Sequence, residues 1–502
     1  MIPDSKRVDA DIEDRFSALP RNLIDEILRL LPVHDAARTS ILSKNWRYIW
    51  AAHPNLMLDK TFCSKLAVKS QSVLKETIDM ILLQHIGDIV KFDLDVSGVQ
   101  LCSYADIDRW MLYVTRYGVK ELTLNMSKNI SSTYKVPSYI FDCRTLTQLK
   151  LFKCIFKLPN SFLGFQTLTI LQLKEVTFAP AIEFYAIKTP LLVELNLTHC
   201  EGTQYLNIEF SSGLKYLSVR ESHYNLDLNS NYFRNIKKLT YLYLVFDNPI
   251  RVDERLTLEK LLFSSPTLET LTLGRVPKGL HYTLNCLWHL QLGVNFNKLG
   301  QTCYTLELIK SFPNLSKLEI WDNAFGDPDE AVMKYLDAPS CLDQTLNKLE
   351  DVSIHIFRRS KVVLSFIKLL FAHAPSLSRM SIKPKNASSS KEELNVATEL
   401  MRFPRVIDST TSDNVEEVLE YLNSPVCLNQ PLHSLKDVVM HAFEGSKVEM
   451  LFVKLLFART PSLIRMQVNV FDLEEGRDIA TELMDFPRAS PKAELFCTPC
   501  TD

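Results

Sequence analysis

The sequence predicts a mixed α/β chain: three short helices at the amino terminus, a curved stack of parallel strands, and two closing copies of a strand–helix unit. Three observations predict this. A Pro-bounded amphipathic run occupies residues 21–31; a leucine spacing of three and then two residues recurs from residue 119; and much of the last third repeats itself, with residue 335 falling on residue 421. At 502 residues the chain exceeds one ordinary compact domain, so several domains or an extended array is required.

The helices come first. Leu23, Ile24, Ile27, Leu28 and Leu31 recur at the spacing of an amphipathic helix, with Arg21, Asp25, Glu26 and Arg29 on the other side. Pro20 suits the start of that helix, where a missing N–H loses no partner, and Pro32 blocks its continuation. A second short helix is expected over Asp35 to Ser40, and Ser43 is placed to cap a third that carries Trp46 and Trp50 on one face. A segment of this size, below roughly forty residues, seldom folds alone. Two tryptophans and a run of Leu and Ile therefore need an outside surface, either the following domain or a second molecule.

Next, residues 53–58 suggest a short exit segment. Ser70 to Gln84 follows as an amphipathic helix, Ile89 to Val96 alternates like a strand, and Asp106 to Tyr117 is helical. From Val119 the leucine pattern takes over: Val119, Leu122, Leu124; Leu146, Leu149, Leu151; Leu168, Leu171, Leu173; and Leu192, Leu195, Leu197. It continues through Leu214, Leu217, Val219; Leu239, Leu242, Leu244; Leu268, Leu271, Leu273; Leu287, Leu290, Leu292; and Leu315, Leu318, Ile320. Units recurring about every twenty to thirty residues match the leucine-rich repeat period. In such a solenoid the leucines are buried and the residues between them line the concave face. Gln148, Lys150, Gln172, Glu194 and Asn196 occupy those positions, as do the candidates for contact with a protein substrate, Tyr216, Tyr241, Tyr243, Trp288, His289 and Glu319. Three positions after the last strand leucine, the corner of the turn is filled by Cys154, Cys200, Asn295 and Asn323. Val176, Ser222, Asp247 and Val276 stand there in other units, so the array is irregular. Pro190, Pro266 and Pro313 each stand two residues before a first strand leucine, where they end the preceding segment.

The duplication covers the last third. Pro339, Cys341, His355 and Phe357 correspond to Pro425, Cys427, His441 and Phe443, and the run 368–372 corresponds to 454–458. Residues 397–405 recur at 480–488 after a short deletion. Each copy is expected to run strand, helix, strand, helix, with helices at about residues 360–373 and 446–459 and a loop at Lys385 to Glu393.

These residues carry two resemblances. The order Leu19-Pro20, Leu23-Ile24, Ile27-Leu28, Leu31-Pro32, Asp35-Ala36, Arg38-Thr39-Ser40, Leu42-Ser43, Trp46-Arg47 and Trp50 resembles a plant-type F-box. Both duplicated copies resemble the FBD module that follows F-box and leucine-rich repeat regions in many plant proteins. The resemblance implies docking on an Skp-family adaptor and, through it, a cullin. The implied adaptor face is Leu19, Pro20, Ile24, Ile27, Leu28, Leu31 and Pro32 with Ala36, Thr39, Ser40, Leu42, Ser43, Trp46 and Trp50, some of them packing inside the motif. The implied organisation is a flexible 1–14, an F-box at 15–60, a connecting region at 61–118, and repeats at 119–334. FBD-like copies then occupy 335–405 and 421–490, with a tail at 491–502.

Other classes receive little support. A net charge of −2 argues against general nucleic-acid affinity. No apolar run reaches the length of a membrane span and residues 1–7 lack a signal-peptide core, so a cytosolic or nuclear protein is expected. The eleven cysteines are scattered and suit reduced thiols, and Cys497 with Cys500 lacks the second ligand pair that a zinc site needs. With no phosphate loop, nucleophile elbow or Cys/His cluster, no catalytic residue, metal or cofactor is expected. The expected function is substrate recognition for an Skp–cullin–F-box ubiquitin ligase. The alternative is a ligase-independent scaffold or small-molecule sensor.

Overall fold

The computed structural model describes residues 19–499 except 127–132, 160–161, 163, 179–186, 203–207, 211–212, 222–235, 247–260, 277–282, 324–329, 339–340, 358–360, 385–431, 444, 446 and 471–472. Residues 1–14, the corner positions Ser222 and Asp247, the loop at 385–393, the repeated stretch at 397–405, the start of the second copy at 421–427, and Cys500 lie outside the described residues. The chain divides into one unit of residues 1–214 with 225–227 and a second of residues 215–224 with 228–502.

In the first unit, helix α1 (Arg21–Leu30) begins where the Pro20 carbonyl accepts the Leu23 and Ile24 N–H groups at 3.0 and 3.2 Å. It ends at Leu31, whose extended backbone is the conformation a following proline imposes. Helix α2 (Val33–Arg38) leads through a 3-10 turn (Thr39–Ile41) to α3 (Lys44–Ala51), and the Ser43 hydroxyl accepts the Trp46 N–H at 3.1 Å. The second helix thus starts two residues before the expected span.

Residues 53–58 are more than an exit. Asn55–Leu58 forms strand β1, parallel to β2 (Lys91–Asp95), so the sheet starts well before the first leucine unit at residue 119. Between them lies α4 (Lys60–Lys69), started by the Asp59 carboxylate accepting the Phe62 N–H at 2.7 Å. The periodicity did not reveal this helix because only Cys63 on it is fully buried. Helix α5 (Gln71–Gln84) buries Leu74, Ile78 and Leu82, and α6 (Ala105–Arg116) buries Ile107, Trp110, Met111 and Val114. Trp110 Nε1 donates to Asp79 Oδ1 at 2.7 Å, joining α6 to α5.

The repeats follow as β3 (Glu121–Asn125), β4 (Tyr134–Lys135), β5 (Gln148–Phe152), β6 (Cys154–Phe156), β7 (Ile170–Lys174), β8 (Thr177–Phe178), β9 (Ile187–Thr189), β10 (Glu194–Thr198) and β11 (Ile208–Phe210). Strands β1, β2, β3, β5, β7 and β10 pair in parallel in that order, with Leu122, Leu149, Leu171 and Leu195 in one register row. These leucines bury their side chains behind the sheet, and each contributes roughly 1.5 to 3 kcal/mol. After β5, β7 and β10, Lys153, Glu175 and His199 adopt left-handed backbone with φ of 57, 55 and 50°. That turn directs Cys154, Val176 and Cys200 into the interior, so Val fills the corner as Cys does. Beyond the corner, β4, β6 and β8 form a second small parallel ladder.

In the second unit, β12 (Tyr216–Glu221), β13 (Tyr241–Phe246), β14 (Thr270–Leu273), β15 (His289–Val294), β16 (Lys317–Asp322), β17 (Asp351–Phe357), β18 (Arg379–Pro384), β19 (Asp437–Phe443), β20 (Arg465–Val470) and β21 (Glu494–Pro499) pair in parallel in chain order. The duplicated copies share their order: β17, helix Lys361–His373 and β18 in one, β19, helix Lys447–Arg459 and β20 in the other. The second continues through helix Leu473–Met484 to β21.

Candidate adaptor-docking face and strand face

The amino-terminal helices enclose a small core of Ile24, Leu28, Ala36, Trp46 and Ile49, with Leu19 and Trp50 packed against its edge. Arg21 supports it from outside: one guanidinium nitrogen donates to the Ile49 carbonyl at 3.3 Å and another lies 3.1 Å from Asp25, tying α1 to α3. His53 is buried beside Asp25 at 3.7 Å. Burial lowers the His53 pKa, opposed by the Asp25 carboxylate.

This core divides the adaptor-face residues. Ile24, Leu28, Ala36 and Trp46 move from the docking face to the interior, because they cover one another and offer no open surface. Leu19, Thr39, Ser40, Ser43 and Trp50 are half-buried, while the Thr39 and Ser43 hydroxyls are engaged by the Ala36 carbonyl and the Trp46 N–H. Pro20, Ile27, Leu31, Pro32 and Leu42 are exposed.

The face also holds residues absent from the sequence assignment: Leu23 and Leu30 on α1, and Ile41 on the 3-10 turn. Leu23, Ile27, Leu30 and Leu31 form one outward strip at helical spacing. Ile41 and Leu42 form a second patch. Leu30, Ile41 and Leu42 are 76, 80 and 69% exposed, so they stabilise nothing in the isolated chain. Periodicity selects the buried stripe; an apolar residue off that stripe was the available signal for the open face.

On the other candidate surface, the residues between leucines share one face of each sheet. Gln148, Lys150, Gln172, Glu194 and Asn196 line it in the first unit. In the second, Tyr216, Tyr241, Thr270, His289 and Lys317 share one row, and Tyr243, Thr272, Gln291 and Glu319 the next. Tyr216 and Trp288 are the most open, with Trp288 stacked on His289 at 5.4 Å.

His289 and Glu319 are not free contacts. Glu319 takes Lys317 Nζ at 2.6 Å and His289 Nε2 at 3.0 Å, while His355 Nε2 lies 3.6 Å from its second oxygen. Hydrogen bonds from His289 and Lys317, with the His355 ring close by, hold the Glu319 carboxyl far below its usual range despite burial, so it remains charged. Its oxygens are occupied in joining β15, β16 and β17.

Comparison with known proteins matches these two regions. A family model described as F-box domain matches residues 16–57. One described as FBD-associated F-box protein At5g56370, LRR repeats, matches residues 107–320. The chain is 30% identical over 415 residues to the F-box/FBD/LRR-repeat protein At1g13570 of Arabidopsis thaliana, across 78% of this chain and 96% of that protein.

The chain belongs to the F-box/FBD/LRR-repeat family.

The F-box/LRR-repeat protein At3g59200 of Arabidopsis thaliana is 38% identical over 143 residues, 28% of this chain and 26% of that protein. The FBD-associated F-box protein At5g56370 from the same plant is 31% identical over 141 residues, 28% of this chain and 32% of that protein. The F-box match spans the helical core and both open patches, and the repeat match spans α6 to β16. Neither matched model describes an enzyme. No helix among the described residues is long and apolar enough to cross a membrane.

Proposed function

We propose that this F-box/FBD/LRR-repeat protein is the substrate-recognition subunit of an Skp–cullin–F-box ubiquitin ligase. The F-box docks on an Skp-family adaptor and thereby on a cullin, while the concave face of a curved solenoid holds a protein substrate. The two FBD-like copies extend and close that solenoid, and the protein works in the cytosol or nucleus. The observation that carries the reading is the open apolar surface of Leu30, Ile41 and Leu42 on an F-box whose core is already filled. Surface left uncovered beside a closed core is suited to a second molecule.

The chemistry belongs to the partners. This chain contributes proximity, since holding both ligase and substrate raises the local concentration of substrate lysines to the order of millimolar. The test is co-expression with an Skp-family adaptor and a cullin. The full chain is expected to recover both, and a chain lacking residues 1–59 to recover neither. Equal recovery by the shortened chain would refute the docking assignment.

A further inference from the structure

The strand face of the second unit contains two sets of side chains of contrasting charge. The first alternates Lys317, Asp351, Arg379, Asp437, Arg465 and Glu494, so each charge has an opposite neighbour; Arg379 and Asp351 lie 3.6 Å apart. A second set at the far end of the same strands comprises Trp321, His355 and Lys383, which share a row, Asn469 and Thr498, which pair, and His441, which directly follows the last residue of β19 paired with β18 and meets the Asn469 side chain. It contains no carboxylate, and no ion pair to Lys383 is present among the described residues.

Hydrogen bonds fix the orientation of His441. Asn469 Oδ1 accepts from Thr498 Oγ1 at 2.7 Å and from Gln467 Nε2 at 3.0 Å. The Asn469 amide nitrogen therefore faces His441 Nδ1, 3.1 Å away. An amide nitrogen only donates, so Nδ1 is the lone-pair nitrogen and the imidazole proton sits on Nε2. Burial, with the neighbouring Lys383 ammonium, lowers the His441 pKa and favours the neutral ring. His355 is engaged elsewhere: its ring stacks on Trp321 at 4.8 Å and its Nε2 is directed to Glu319. The set thus offers one full cation and one oriented neutral donor. That charge balances a single carboxylate, whereas a phosphate dianion would bring a second charge with no counterpart.

We propose that Lys383 and His441 form a carboxylate subsite on the strand face, taking an Asp or Glu side chain from an acidic segment of the protein substrate. Asn469 is a positioning residue that sets the tautomer. The duplication supplied both parts, since Asn469 of the second copy stands where Lys383 stands in the first. This rests on the reading of the strand face as a substrate surface, and it is tested independently of the ligase arm.

The test uses the full chain co-purified with the adaptor and fluorescence anisotropy of labelled hexaglutamate, hexaglutamine, hexaphosphoserine and an oligothymidylate. Hexaglutamate is expected to bind and hexaglutamine not. Lys383→Gln is expected to weaken hexaglutamate by about tenfold or more, as loss of a charge-assisted hydrogen bond does. Lys383→Arg should restore most of the affinity, and Lys174→Gln on the first unit should leave it unchanged. Thermal melting of each variant separates loss of the site from loss of the fold. Equal hexaglutamate affinity in the wild type and Lys383→Gln, or no hexaglutamate binding by a folded wild type, would overturn the subsite. Tighter binding of hexaphosphoserine or oligothymidylate than of hexaglutamate would overturn the carboxylate assignment. Failure of the wild type to co-purify with the adaptor would instead count against the ligase reading; the peptide titration, run on the chain alone, would still decide the subsite.

Discussion

Replacing Ile41 and Leu42 together by serine separates a docking face from a core. Both side chains are largely exposed in the free chain, so their removal exposes no cavity and should change thermal stability little. Covering each against a partner would contribute roughly 1.5 to 3 kcal/mol. The double variant should therefore lose about 4 kcal/mol of adaptor binding, near a thousandfold in Kd, reduced somewhat because neighbouring residues couple. Trp46→Ala provides the opposite case. Trp46 is 4% exposed among Ile24, Leu28, Ala36 and Ile49, and its truncation should cost the helical core about 3 to 5 kcal/mol. Titration calorimetry against purified adaptor, with melting followed by circular dichroism, measures both quantities. The reasoning is refuted if Ile41→Ser with Leu42→Ser binds the adaptor as the wild type does, or unfolds as readily as Trp46→Ala.

Three further perturbations test the framework. Glu319→Gln should destabilise the second unit by about 2 kcal/mol near neutral pH, since Lys317 loses its counter-charge while part of the hydrogen bonding to His289 survives. Because the folded pKa of Glu319 is depressed, its contribution is present above the unfolded value of 4.5 and is lost as pH falls toward the folded value. Urea titrations should show the gap between wild type and variant narrowing in acid; a gap independent of pH would contradict the hub. Ser43→Ala removes the cap of α3 and should cost about 1 kcal/mol, read as a lower F-box melting temperature, whereas Ser43→Asp should retain most of it. Gly293→Ala places a methyl group against the Gly274 carbonyl and the Asn323 side-chain amide and should destabilise by about 1 to 3 kcal/mol in denaturant titration. Wild-type stability would show that β14 and β15 are not held so closely.

The leucine units were legible because alternation places every second residue of a strand on one face, and a buried face tolerates little but apolar side chains. The start of the sheet was not legible. Strand β1 is four residues long, too short for alternation to stand out, and it acquires its identity from the β2 backbone beside it. Helix α4 escaped for a related reason, since a helix that fully buries only Cys63 carries almost no stripe. Among the site residues, the sequence selected the F-box as a group but could not separate Ile24 and Trp46 from Ile27 and Leu42, because both sets are apolar at neighbouring positions.

The amino-acid order by itself determined the Pro-bounded helices, the leucine rows, the duplication and the family, because each depends on residue type and spacing along one chain. Tertiary structure decided which apolar residues are covered, that Glu319 meets His289 of the neighbouring strand, and that the Asn469 amide meets His441. Those outcomes depend on which strand lies next to which, and strand neighbours bring together groups from about 20 to nearly 60 residues apart through backbone hydrogen bonds that every residue type makes alike.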